Sequence, residues 1–146
     1  MKGDQVPEGH HITRLCQTTQ ISELGEILAP AFMLRPKEQE LSVNWLEFLN
    51  CLDRQSEIEQ IRNVYAEKKL RVGAGYKIAV LIVGNVRRRV LEESPDGRNI
   101  RVLHEPEYND PSHSAVDNLR HDDFFIAELI AQTVIDTYPA RKPLSN

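Results

Sequence analysis

Apolar residues recur along the chain at spacings that predict both strands and helices. The run from Tyr76 to Val83 is nearly uninterrupted and rich in β-branched residues, which is typical of a central strand buried on both faces. The segment from His10 to Leu15 has the pattern of a shorter strand. Ser56 and Glu59 form a capping box ahead of apolar residues at helical spacing, which predicts a helix ending near Lys69. The first run is therefore the predicted core of a sheet.

A long helical pattern lies near the C-terminus. Asp122 and Asp123 precede an apolar run that begins at Phe124, continues through Tyr138 and stops at Pro139. Acidic residues favour a helix N-terminus and proline cannot continue a helix. This segment therefore predicts a helix that packs against the sheet.

Three further segments complete the predicted elements. Ser22 precedes acidic and apolar residues that predict a short helix ending before Pro30. Leu41 to Leu52 first alternates and then repeats at helical spacing, which predicts a strand running into a helix. Val86 to Glu93 and Asn99 to His104 flank a turn that contains proline and glycine, which predicts a β-hairpin.

Together these elements predict an α+β fold, in which a mixed or mostly antiparallel sheet carries about three helices and the C-terminal helix packs on the sheet. The chain has 146 residues, of which 40% are hydrophobic, and this is enough for a single core. Residues 1–9 are predicted to form a flexible arm, residues 10–139 a single domain and residues 140–146 a polar tail.

Charge and cysteine content limit the classes of function. The chain carries 18 basic and 22 acidic residues, and a net charge of -4 gives no broad attraction to nucleic acid or to an anionic membrane. Arg87–Arg89 is its only basic cluster. Cys16 and Cys51 match no disulfide or metal motif, and no export signal begins the sequence, so we expect a soluble cytoplasmic protein. The apolar run Ile78–Val83 is too short to span a bilayer, so no membrane association is expected.

Histidine and arginine side chains in two segments point to a site for a phosphate group. His113 lies in the turn-rich run Asp110–Val116, and His10, His11 and Arg14 lie on the first predicted strand. Arginine presents a planar fork that matches phosphate, and histidine can donate or accept a proton near neutral pH. In a regular strand Arg14 shares a face with His10 and points away from His11. A site that contains both His11 and Arg14 therefore requires a bulge, or the end of the strand, between them.

Ser42 and Asn44 are candidate ligand-binding residues. If their segment is a strand, both side chains share the face opposite Val43 and Trp45 and present hydrogen-bonding groups to a ligand. The competing interpretation, which the local pattern favours, makes Ser42 a helix cap and Trp45 a core residue.

No motif identifies a cofactor, and no metal site is expected. His104, Glu105, Asp110 and His113 are suitable ligand types, but they lie on a proline-containing segment and lack the helical spacing of a zinc motif. A turn without a metal is the commoner explanation of such a segment. The pair of glycines in Gly73–Gly75 lacks the lysine of a phosphate-binding loop.

The order of a histidine on an early strand, a serine on a second strand and a later polar motif resembles the sites of ADP-ribosyltransferases. In that family a split sheet holds a nicotinamide dinucleotide. The resemblance covers three short segments and includes no match to the catalytic glutamate of the family, so it assigns no residue of this chain.

These residues lead to two hypotheses about function. In the first, the chain is a small intracellular domain that binds a phosphate-bearing ligand, a nucleotide or RNA, and supports histidine-based transfer or hydrolysis. His113 transfers protons, His10 or His11 is its partner, and Arg14 contacts the anion. In the second, the chain is a non-catalytic interaction subunit of a larger assembly, and the Arg35–Glu40 loop or the edge hairpin contacts a partner protein. The sequence leaves both hypotheses open.

Overall fold

The computed structural model describes residues 2–142, and within them a six-stranded antiparallel sheet packs with three helices. The strands are β1 (His11–Cys16), β2 (Leu41–Trp45), β3 (Lys77–Ile82), β4 (Arg101–His104), β5 (His113–Asp117) and β6 (Asp136–Pro139), and the helices are α1 (Arg54–Glu67), α2 (Val83–Glu93) and α3 (Phe124–Ala131). In the sheet the strands lie in the order β4-β5-β2-β1-β3-β6, and every neighbouring pair is antiparallel. The predicted α+β class, with the C-terminal helix packed on the sheet, is confirmed.

The sheet has apolar residues buried on both faces. One face packs on α2, α3 and a single 3-10 turn at Ala29–Phe32, and the other face packs on α1. On the α1 side, Ile58 and Ile61 of α1 cluster with Ile78 and Val80 of β3. A side chain of this size contributes about 1.5–3 kcal/mol when it is fully removed from water, so this cluster fixes the position of α1 on the sheet.

β1 and β2 diverge part-way along their length. They pair at only two positions, the second being Thr13 with Asn44, whereas β1 stays paired with β3 along all six of its residues. Beyond Thr13 the two strands form a fork. In this fork the guanidinium group of Arg14, rather than a backbone N–H of β1, donates to the carbonyl oxygen of Ser42 at 2.9 Å. The fork therefore places a charged side chain between two central strands.

The predicted hairpin over Val86–Glu93 and Asn99–His104 is wrong. The first of these segments lies in α2, whose buried residues include Val83, Val86 and Val90. The second contains β4, which pairs with β5. Val86 and Val90 share the parity of one strand face, but with Val83 they also recur at helical spacing, and their burial in the core decides for the helix.

The C-terminal helix is shorter than predicted. α3 ends at Ala131, and β6, an edge strand paired with β3, occupies the segment where the helix was expected to continue. The residues between them, Thr133–Ile135, are β-branched and disfavour a helix. Pro139 is tolerated in β6 because an edge strand need not donate every backbone N–H to a neighbour.

Two other predicted helices are absent or reduced. No helix follows Ser22, because Gly25 has a φ of 86° and the Ser22 hydroxyl accepts hydrogen bonds from the backbone N–H groups of Leu24 and Glu26 in a turn. After β2, the predicted helix is a single 3-10 turn, Glu47–Leu49. Both segments therefore act as connections to the sheet.

Three local assignments also change. Asp53, rather than Ser56, caps α1, because its carboxylate accepts a hydrogen bond from the backbone N–H of Ser56 at 2.8 Å. The run Asp110–Val116, predicted as a turn, enters β5 at His113. Ser42 lies in β2 rather than at a helix cap.

The N-terminal residues lie along β4. The backbone N–H of Val6 donates to the carbonyl oxygen of Val102, and the Val6 side chain is buried in the core. Met1 and residues 143–146, which belong to the predicted arm and tail, lie outside the described residues.

Candidate functional site

A cavity of about 460 Å³ opens at the fork between β1 and β2, and we call it the fork pocket. It lies beside the C-terminal end of α1, on the face of the sheet that α1 covers. The side chains that define its chemistry are Thr13, Arg14, Arg35, Glu38, Ser42, Asn44, Tyr65, Lys68, Arg71, Tyr76 and His113.

Arg14, Ser42, Asn44 and His113, all predicted as site residues, line the fork pocket together. Strand register explains their meeting, because Asn44 is paired with Thr13 on one side and with His113 on the other. Paired residues of neighbouring strands direct their side chains to the same face of a sheet, and Ser42 shares that face by alternation. Arg14 alternates to the opposite face, so it meets the others only because the strands diverge beside it.

Arg14 is a buried cation without a carboxylate partner. It is 7% exposed, and its Nε and Nη1 atoms donate to the carbonyl oxygens of Ala31 and Ser42, each at 2.9 Å. Among residues 2–142, no carboxylate forms an ion pair with its guanidinium group. Burial lowers the pKa of Arg14, and the charge of nearby Glu38 opposes that shift. A buried charge costs several kcal/mol unless it is paired, so this position favours an anion.

Hydrogen bonds fix the tautomer of His113. Its Nδ1 atom lies 2.8 Å from the carbonyl oxygen of Glu105, and its Nε2 atom lies 3.2 Å from the hydroxyl oxygen of Ser42. Because a carbonyl oxygen can only accept, Nδ1 carries the ring proton. The neutral ring therefore has its lone pair on Nε2, which accepts a hydrogen bond from the Ser42 hydroxyl group.

A network behind the pocket wall connects β2, the segment before β5 and α1. The Asn44 side-chain amide donates to Asp110 at 2.8 Å and to the Ser112 hydroxyl at 2.9 Å. Lys68 Nζ donates to Asp110 at 3.0 Å and to Glu107 at 2.8 Å. Burial opposes the charge of Lys68, but these hydrogen bonds outweigh it and raise the pKa of the ammonium group. Lys68 therefore stays charged, and the amide nitrogen of Asn44 holds the wall in place.

The lining of the fork pocket is cationic although the chain as a whole is anionic. Arg14, Arg35, Lys68 and Arg71 contribute positive charges, and within residues 2–142 Glu38 is the single acidic residue of the lining. One oxygen of Glu38 accepts a hydrogen bond from the backbone N–H of Arg35 at 2.7 Å. Cationic side chains therefore outnumber anionic ones in the lining, and this favours binding of an anion.

A second, larger groove of about 750 Å³ lies between α3 and residues 25–30. Its charged lining residues are Glu26, Glu128 and Asp136, all of them acidic. We therefore place the candidate anion site in the smaller fork pocket, where the cations are.

Thr13 adds an unusual polar group to the pocket wall. Its side chain is fully buried, and its hydroxyl oxygen has no hydrogen-bond partner among the described residues. A buried hydroxyl without a partner costs about 1–3 kcal/mol. This residue lies directly before Arg14, so two incompletely satisfied polar groups adjoin the same cavity.

His10 and His11 do not line the fork pocket. The Trp45 indole N–H donates to Nδ1 of His10 at 2.9 Å, while His11 donates through Nδ1 to Glu47 at 2.6 Å and through its backbone N–H at 2.7 Å. β1 pairs with β3 without a bulge, so the side chains of His11 and Arg14 point to opposite faces of the sheet. The structure therefore assigns both histidines contacts at the opposite end of β1.

We expect the contact between His11 and Glu47 to make stability depend on pH. Burial opposes ionisation of Glu47, but hydrogen bonds from the backbone and ring of His11 outweigh it and lower the pKa of the carboxyl group. A lowered carboxyl pKa stabilises the fold above the ordinary glutamate range, and the contribution is lost as the pH falls through the folded-state pKa. Glu47→Gln should therefore reduce the free energy of unfolding by about 1 kcal/mol at neutral pH and by less in acid. Urea denaturation at several pH values measures this, and a difference that stays constant with pH would contradict it.

Sequence reasoning missed Lys68, Arg35 and Arg71 as pocket residues. Lys68, which caps the C-terminal end of α1, follows the buried residues Ile61 and Tyr65 at helical spacing and so lies on the same side of the helix as they do. That helical spacing was the feature of the sequence from which the position of Lys68 could have been predicted. Arg35 and Arg71 lie in connections, where no periodicity indicates their direction.

Comparison of the chain with protein-family models, curated proteins and solved structures finds no significant match. Within residues 2–142, no helix is long and apolar enough to cross a membrane. In the same part of the chain, no group of three or more histidine, cysteine, aspartate or glutamate residues is placed to hold a metal ion. His104 instead donates through Nε2 to the carbonyl oxygen of Pro111 at 2.8 Å.

Proposed function

We propose that the fork pocket binds a phosphate-bearing ligand. The observation that carries this proposal is the buried guanidinium group of Arg14, which adjoins the pocket and has no carboxylate partner among residues 2–142. An anion in the pocket would supply the missing charge. Arginine matches phosphate oxygens in geometry, and its free Nη2 group is available for such a contact.

The other cations favour phosphate over a single carboxylate. Arg35, Lys68 and Arg71 line the same cavity, and their combined charge suits a ligand with more than one negative charge. The two carboxylates bound to Lys68 offset part of this charge, so Arg14 remains the principal contact. The Ser42 hydroxyl supplies an uncharged hydrogen-bonding group.

The size of the pocket limits the ligand. A volume of about 460 Å³ is within the range of small-molecule sites, which is roughly 300–1,000 Å³. The net charge of -4 gives no long electrostatic track for nucleic acid. A nucleotide, or the phosphorylated end of an RNA, therefore fits better than an extended duplex.

The basic cluster Arg87–Arg89 is a poorer candidate for the same ligand. On α2, Arg87 pairs with Glu8, and Arg89 pairs with Glu93. These ion pairs already neutralise two of the three arginine charges. An anion therefore binds less favourably there than beside Arg14.

Isothermal titration calorimetry at low salt tests this proposal with inorganic pyrophosphate, ATP and a 5′-phosphorylated RNA trinucleotide, and with adenosine as the uncharged control. We expect the phosphate compounds to bind, with affinity that falls as salt is added, because the contact is ionic. Adenosine should not bind measurably. Failure of all three phosphate compounds at millimolar concentration, or equal binding of adenosine and ATP, would contradict the proposal.

The alternative function, a non-catalytic interaction subunit, has less support. One of its two contact elements, the edge hairpin, is replaced by α2. The other, the Arg35–Glu40 loop, is turned toward the fork pocket through Arg35 and Glu38. His121 also donates through Nε2 to the carbonyl oxygen of Arg35 at 3.0 Å, which anchors the loop. These contacts favour a loop that completes a ligand site.

A further inference from the structure

We propose that Ser42 is a nucleophile and that His113 is the general base that activates it. This inference rests on the proposed function, because the electrophile is the phosphate group held in the fork pocket. The Ser42 hydroxyl, the His113 ring and the Glu105 carbonyl form a chain of two hydrogen bonds, at 3.2 Å and 2.8 Å. A nucleophile, a base and a group that orients the base are the three parts that nucleophilic catalysis requires.

The two side chains differ in exposure as their roles require. Ser42 is exposed at the pocket, so its hydroxyl can meet a ligand. The His113 side chain is 12% exposed and is held by the Glu105 carbonyl, so the direction of Nε2 is fixed. The neighbouring hydroxyls of Ser112 and Ser114 are buried and cannot reach a ligand.

The fork also places a positive charge beside the reacting group. Nη1 of Arg14 donates to the carbonyl oxygen of Ser42, the same residue whose hydroxyl bonds to His113. A guanidinium group in this position can stabilise the charge that develops on phosphate oxygens during attack. By contrast, burial raises the pKa of the Cys16 thiol to about 12, so that side chain is a core residue and not a nucleophile.

The chemical step follows from these positions. Ser42 Oγ forms a bond to phosphorus and gives its proton to Nε2 of His113. The bond from phosphorus to the leaving oxygen breaks, and that oxygen keeps the electron pair and takes the proton from His113. Water then attacks the phosphoserine, again giving a proton to His113, and Ser42 Oγ leaves with the proton that His113 returns.

Intact-mass spectrometry of the full chain after treatment with a fluorophosphonate probe tests the nucleophile directly. In this reaction Ser42 Oγ bonds to phosphorus, fluoride leaves, and the hydroxyl proton passes to His113. We expect one adduct, mapped to Ser42 by peptide analysis, and no adduct at that position in Ser42→Ala. His113→Asn keeps a side-chain N–H for the Glu105 carbonyl but lacks the Nε2 acceptor, so its labelling should slow about a hundredfold or more.

Ser56→Ala is the matched control, because Ser56 is exposed on α1 and does not line the fork pocket, and its backbone N–H still caps the helix through Asp53 in the variant. It should be labelled at Ser42 as fast as the unmodified protein. Circular dichroism establishes that each variant is folded. No adduct on Ser42 in the folded protein, or equal labelling rates for folded His113→Asn and the unmodified protein, would overturn the inference.

Pyrophosphate separates this inference from the proposed function. If excess pyrophosphate slows labelling of Ser42, both proposals are supported. If Ser42 is labelled and pyrophosphate neither binds nor protects, the nucleophile stands and the phosphate site is contradicted. If pyrophosphate binds and Ser42 is not labelled, the phosphate site stands and the nucleophile is overturned.

Discussion

Arg14→Met is expected to weaken the binding of inorganic pyrophosphate about thirtyfold or more, which corresponds to a loss of about 2 kcal/mol. The reason is that Arg14 is buried at the fork and has no carboxylate partner among residues 2–142, so a bound anion makes its strongest ion pair there. Removing the guanidinium group leaves the anion in the pocket without that pair. Isothermal titration calorimetry at low salt measures the change.

Two further variants make the Arg14 experiment specific. Arg101→Met removes an exposed arginine on β4 that pairs with Asp117, and it should leave pyrophosphate binding unchanged. Arg14→Lys keeps the charge but loses the planar fork, so its affinity should lie between those of the unmodified protein and Arg14→Met. Since Arg14→Met leaves the carbonyl oxygens of Ala31 and Ser42 without a donor, its folding is checked by circular dichroism. Unchanged affinity in folded Arg14→Met would contradict the proposed site.

Asp110→Ala is expected to reduce the free energy of unfolding by about 3–5 kcal/mol. Asp110 is 1% exposed, and its carboxylate accepts hydrogen bonds from Asn44, Ser112 and Lys68. Removing it leaves an amide, a hydroxyl and an ammonium group without their shared acceptor. Urea denaturation followed by circular dichroism measures the loss.

Asp96→Ala is the control for this experiment, because Asp96 forms ion pairs with Arg98 and Arg120 but is 44% exposed. We expect a much smaller loss for that exposed carboxylate than for Asp110→Ala, because solvent screens exposed ion pairs. Adding Lys68→Met to Asp110→Ala should cost less than the sum of the two single changes, because the ammonium group no longer needs a partner. A loss for Asp110→Ala as small as that for Asp96→Ala would show that the buried network contributes little.

The sheet core could be predicted because its pattern admits few alternatives. The apolar run around Ile78 and Leu81 is too short for a membrane span and too β-branched for a helix, and it forms β3. The segment that forms most of α2 could not be separated from a strand locally, since the spacing of Val86 and Val90 fits both a strand and a helix. β6 could not be predicted because it follows α3 in the same apolar stretch of sequence. The position at which the helix ends depends on the pairing of β6 with β3. In both cases tertiary contacts override the local pattern.

The sequence allowed several residues of the candidate site to be predicted, but not the way in which the fold brings them together. Strand parity places Ser42 on one face and Arg14 on the other, and the divergence of β1 from β2 that joins them leaves no mark in the sequence. Ser42 and His113 lie 71 positions apart, and their contact depends on the register between β2 and β5. The imidazole groups of His10 and His11 have the chemistry that a phosphate site needs, but the regular pairing of β1 directs these side chains to Trp45 and Glu47.

A crystal structure of the protein with inorganic pyrophosphate tests the central proposal most directly. We predict that a phosphate group will occupy the fork pocket, with an oxygen within hydrogen-bond distance of Nη2 of Arg14 and the opposite side of the group facing Ser42. Pyrophosphate bound instead at Arg87–Arg89, or a fork pocket without phosphate in crystals grown at saturating pyrophosphate, would contradict it.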